Sequence, residues 1–119
     1  MTKEFVSYEQ SIALKELGFI EPVFAGYDME TSELYVGRGN DGPLFNYEYY
    51  EPAPLKQQVF RWFREKHNLV SWVYISHNEF FYTIVENGRY VKGVGSHANY
   101  DEAEDACLNK LIDVKNRLL

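Results

Sequence analysis

Two prolines around a single alanine, Pro52-Ala53-Pro54, interrupt the chain near its middle, and no regular element can run through them. Proline lacks the amide that a strand ladder needs, and inside a helix its ring clashes with the preceding turn. A strand must therefore end upstream of the break. Proline is well tolerated just ahead of a helix, so a helix is expected to begin downstream.

Upstream, Ser7 followed by Gln10 reads as a capping box opening a helix over Tyr8–Leu17, and Gly18 with Phe19 reads as its Schellman stop. Three short β-rich runs follow, Val23–Tyr27, Leu34–Val36 and Leu44–Tyr50, separated by Asp, Ser, Gly, Asn and Pro. Downstream, Leu55, Val59, Trp62 and Phe63 recur at helical spacing and predict a buried face on a helix from Leu55 to Asn68. Gln57, Arg61, Arg64 and Asn68 form a second stripe of that helix, pointing away from the core.

Strands are then expected at Val70–Ser76, Phe80–Val85 and Arg89–Val94, the last two joined by Asn87-Gly88, a strong hairpin signal. Asn99 with Glu102 opens a final helix whose buried stripe is Ala103, Cys107, Leu111, Val114 and Leu118. The order is αβββαβββα. It implies an α+β fold with about six short antiparallel strands and three helices packed mainly on one face. Both one continuous sheet and two three-stranded layers satisfy that order.

A length of 119 residues suits a single globular domain, and the 17% aromatic content supplies the buried area that offsets chain entropy. The sequence has no apolar run of the roughly 18 residues that cross a bilayer, and its first residues lack the build of a signal peptide. A cytoplasmic location is expected, in the host cell if the chain is phage-encoded.

Several stretches carry a resemblance. Phe5–Phe19, Ala53–Leu69 and Tyr100–Ile112 resemble small proteins of Bacteroidetes genomes, prophages and phages. That resemblance implies a mobile-element accessory protein and carries over no catalytic residue. The second half also looks like the αβββα order of double-stranded-RNA-binding domains, with Gly93–Ile112 similar to their last strand and helix. Such domains place lysines at the start of the final helix to grip phosphates. Asp101, Glu102, Glu104 and Asp105 occupy that region here and would repel an RNA backbone.

Catalytic chemistry finds little footing. Cys107 lies on an apolar stripe and reads as packing rather than as a nucleophile. His67, His77 and His97 share no metal-ligand spacing, and HExxH, GxSxG and CxxC are all lacking. The glycine-rich loop Gly37–Pro43 lacks the Lys-Ser/Thr ending of a phosphate loop and reads as a hairpin connection. No cofactor or metal is expected, and the chain reads as non-enzymatic.

The net charge of −6 is unevenly spread. Residues 1–54 hold ten acids and three bases, while the remainder holds eight acids and nine bases. Two surfaces are candidate contacts for a partner: the acidic, aromatic segment Tyr47, Glu48, Tyr49, Tyr50 and Glu51, and the basic pair Arg61 and Arg64. The expected function is that of an accessory protein that binds and modulates a host protein or ribonucleoprotein, inhibition of RNA-guided (CRISPR) defence being its sharpest form. The alternatives are a nucleic-acid-binding module using Arg61, Arg64, Arg89 and Lys92, which the net charge disfavours, and a small enzyme.

Overall fold

The computed structural model describes residues 2–37, 50–91 and 95–116. After a short 3-10 turn at Thr2–Glu4 the elements are α1 (Tyr8–Glu16), β1 (Ala25–Asp28), β2 (Leu34–Val36), β3 (Tyr50–Pro52), α2 (Lys56–His67), β4 (Leu69–Ser76), β5 (Glu79–Glu86), β6 (Arg89–Val91) and α3 (Tyr100–Asn116). The α+β order read from the sequence is the observed one, and the strands form two three-stranded antiparallel sheets, β2-β1-β3 and β4-β5-β6. The chain divides into two compact units, Met1–Gln58 and Val59–Leu119.

In the first unit the Ser7–Gln10 capping box is complete in both directions, at 3.1 and 2.8 Å. Gly18 takes φ +95°, and the Phe19 and Gly18 amides donate to the Leu14 and Lys15 carbonyls, the two bonds of a Schellman stop. Phe5, Ala25, Tyr27 and Ala53 form a buried cluster, with Tyr8, Leu34 and Leu55 packed against it. The Tyr27 hydroxyl donates to the Val6 carbonyl, which satisfies a polar group that burial would otherwise leave costly.

The proline break behaves differently in detail from the expectation. Pro52 is the last residue of β3, opposite Gly26, and the ladder reaches one residue further, where the Ala53 amide donates to the Ala25 carbonyl at 3.0 Å. Amides alternate sides along a strand, so the nitrogen of Pro52 points away from β1 and no ladder bond is missing. The first part of the Leu44–Tyr50 strand and most of the Gly37–Pro43 loop lie outside the described residues.

In the second unit Val59, Trp62 and Phe63 are buried, as their spacing requires, and Arg61 and Arg64 are exposed. Asn68 belongs to neither stripe. It ends α2 in the left-handed conformation at φ +54°, which asparagine tolerates, and turns the chain directly into β4. Two tight turns join the strands, His77-Asn78 and Asn87-Gly88, with all four residues at positive φ.

The amide of Glu102 donates to the Asn99 side chain at 2.9 Å, opening α3, while the Glu102 carboxylate accepts from Ala98 rather than from Asn99. Ala103, Cys107, Leu111 and Val114 form the buried stripe of α3, and Leu118 lies outside the described residues. Among the described residues no helix is long and apolar enough to cross a membrane.

Candidate binding surface

Strand alternation determines what the second sheet offers. Register aligns Ser71 with Ile84 and Val91, Val73 with Tyr82, and Ile75 with Phe80, placing these side chains on one face. That face carries α3: Ile84 is fully buried, the Phe80 ring meets Tyr100 edge-on at 6.4 Å, and Ser71 hydrogen-bonds Cys107. The opposite face carries Val70, Val85 and Tyr90 in one row, Trp72 and Thr83 in the next, then Tyr74 and Phe81, and finally Ser76 and Glu79.

This second face is aromatic and open. Trp72 is 46% exposed, Tyr74 43% and Tyr90 79%, and the Tyr74 and Phe81 rings stack at 5.6 Å with 20° between their planes. A cleft of about 320 Å³ runs beside them, lined in part by Tyr74, Phe81, Thr83 and Tyr90. Glu79, at the turn end, is the only charged residue on the face among the described residues. Contiguous exposed aromatic surface of this kind marks interaction sites in proteins that otherwise bury their rings.

Sequence reasoning missed this surface. Trp72, Tyr74, Phe81 and Tyr90 each read as ordinary strand residues, and the available signal was the alternation itself. Both alternating sets in β4 and β5 are apolar, although a sheet covered by helices on one side needs only one such set.

The expected contact residues fall in separate places. Tyr47, Glu48 and Tyr49 lie outside the described residues. Tyr50 and Glu51 are consecutive in β3 and so point to opposite faces. Tyr50 meets Tyr35 of β2 edge-on at 6.1 Å, and Tyr35 stands opposite Gly26 of β1. Tyr35 in turn donates to Glu33 at 3.0 Å, and that hydrogen bond raises its pKa. The Glu51 side chain is only 13% exposed and lies 3.5 Å from the Lys15 ammonium, so its charge is largely committed within the unit. Arg61 and Arg64 are exposed and make no ion pair among the described residues. Counted by unit, the first has ten acids and four bases, and the second eight of each.

In the second unit burial favours the neutral forms of His67, Tyr100 and Cys107. Burial lowers the pKa of His67, with Lys115 adding to the effect, and its ring stands 4.5 Å from Trp62. His97 pairs with Phe80 through its backbone, and its ring stacks on Tyr82 at 6.0 Å. His77 sits exposed in a turn. Among the described residues no group of three His, Cys, Asp or Glu could hold a metal ion.

Burial pushes the Cys107 thiol up from 9.0 to about 11, against a smaller opposing effect of the Ser71 hydrogen bond. A thiol with a pKa this high is almost wholly protonated near neutrality and a poor nucleophile. The native protein should therefore label slowly with a thiol reagent at neutral pH. Because the unfolded chain ionises first, the stability due to the neutral thiol is complete below about pH 9 and is lost as pH rises towards 11. Cys107→Ser should remove that alkaline component from a series of denaturation curves. An identical alkaline loss in both chains would contradict this account of the thiol.

No protein-family model, curated protein or solved structure matches the chain.

Proposed function

We propose that this protein is a non-enzymatic binding module that engages a macromolecular partner through the open aromatic face of β4, β5 and β6. The observation that carries this reading is the presence of Trp72, Tyr74 and Tyr90, all exposed, on a single sheet face where Glu79 is the one charged residue among the described residues. Large rings contribute contact area at low entropic cost and are enriched where interfaces concentrate their energy. Inhibition of RNA-guided defence within a mobile element is the sharpest form of the reading. The acidic first unit supports it, since a negative field speeds encounter with a basic nucleic-acid groove.

The two tryptophans make the test direct. Trp62 is 5% exposed and Trp72 46%, so acrylamide quenching of the free protein should report mainly Trp72. Adding a guide-loaded RNA-guided nuclease should shield Trp72. Tight binding with undiminished quenching would place the contact elsewhere and sink the reading.

The exposed Arg61 and Arg64, together with rings on which bases can stack, favour one second reading, single-stranded nucleic-acid binding. In that case single-stranded RNA alone shields Trp72, with an affinity that falls steeply with salt.

A further inference from the structure

Among the described residues β4 has one strand neighbour, β5, along all eight residues from Leu69 to Ser76, so it forms an edge of its sheet. The ladder fixes the direction of its backbone groups. Phe80 exchanges both of its backbone hydrogen bonds with His97, at 3.0 and 2.8 Å, so these groups point away from β4. Ile75, opposite Phe80, is therefore at a non-hydrogen-bonded position of the β4–β5 pair.

Alternation then assigns the rest. Trp72 and Tyr74 bond to β5, while the amides and carbonyls of Ser71, Val73 and Ile75 point outward. The Asn68 carbonyl, which accepts from Asn87, obeys the same parity.

Natural edge strands are usually blunted by charge, proline or a bulge, because an exposed row of backbone groups is a template for another strand. This edge has none of these protections. Leu69–Ser76 contains no charged residue and no proline, and its register with β5 runs without interruption. Ile75 is 59% exposed although it is an apolar residue on the helix-bearing side of the sheet.

What the edge presents is also symmetric about Val73. Trp72 and Tyr74 flank it on the open face with almost equal exposure, and Ser71 and Ile75 flank it with outward backbone groups.

We propose that β4 pairs antiparallel with β4 of a second copy of this chain, centred on Val73, joining two three-stranded sheets into one of six strands. Val73 then faces Val73 of the copy, and Ser71 and Ile75 face each other twice, so every outward donor meets an acceptor. Trp72 falls opposite Tyr74 of the copy at a non-hydrogen-bonded position, where facing side chains come closest and aromatic pairs contribute most. The two-fold axis supplies that ring pair twice, which an unrelated extended segment would not. The net charge of −6 does not oppose the contact, since the second unit holds as many bases as acids and the strand itself is uncharged. The inference concerns the backbone edge and does not rest on what the open face binds.

Sedimentation equilibrium over a range of concentrations, combined with amide hydrogen exchange, tests it. The chain should move from 14.0 kDa towards twice that mass as concentration rises. The amides of Ser71, Val73 and Ile75 should gain protection in parallel, while those of Trp72 and Tyr74 are protected throughout by β5. Val73→Pro removes an outward donor without costing a ladder bond, and Ile75→Lys adds the charge that edges normally carry. Both should give a monomer whose melting no longer depends on protein concentration, and Ile75→Lys should melt as the wild type does at the dilute end. If Val73→Pro fails to fold, Ile75→Lys alone decides. A wild-type chain that stays monomeric overturns the proposal, as does a dimer whose Ser71, Val73 and Ile75 amides exchange as fast as in Ile75→Lys.

Discussion

Phe63→Ala should cost about 3–5 kcal/mol of folding free energy, the usual penalty for emptying an aromatic site in a packed core. The ring is fully buried, stands 5.0 Å from Trp62 and 6.0 Å from His67, and lies on the face of α2 that also carries the buried Val59. Removing it deletes a large apolar area, and close-packed neighbours relax only partly into the space left. Chemical denaturation of the purified variant gives the number. A change below about 1 kcal/mol would mean that this face of α2 is not a tightly packed core.

Trp72→Ser combined with Tyr90→Ser should still give a folded chain, melting at a lower temperature, and should abolish partner binding. Tyr90 is 79% exposed and contributes little buried area to folding, whereas Trp72 is about half covered, so the loss of stability comes mainly from it. Binding is lost separately, because truncating an aromatic anchor at the centre of an interface often costs 2 kcal/mol or more, roughly a thirtyfold weakening for each. Ile75→Lys keeps every ring of the face and so separates the contribution of the rings from that of the β4 edge. Arg61→Glu with Arg64→Glu is the contrasting variant: it should leave a protein partner bound and abolish salt-sensitive binding to RNA. If the ring-deleted chain binds normally while folded, the open face is not the contact surface.

Glu51 shows how a sound local inference can miss its object. Composition grouped it with Tyr50 as one acidic, aromatic contact. In β3 the two side chains leave by opposite faces, and Glu51 turns to Lys15 of α1. Sequence adjacency implied a shared surface, whereas strand geometry separates neighbours and brings Tyr50 to Tyr35, fifteen positions earlier. The basic pair fared differently. Arg61 and Arg64 are three residues apart on a helix, a spacing that keeps side chains on one side, and both are exposed.

Local chemistry decided most of the elements by itself. The Ser7–Gln10 box, the Gly18 stop, the Asn87-Gly88 turn and the apolar spacing of α2 and α3 each depend on residues within a few positions of one another, so the sequence determined the αβββαβββα order. Tertiary structure alone decided that the six strands close as two sheets and which apolar set of the second sheet receives α3. Both alternating sets of β4 and β5 are apolar enough to be covered, and periodicity cannot rank them. The packing of one helix made Ile84 core and left Trp72, Tyr74 and Tyr90 as surface.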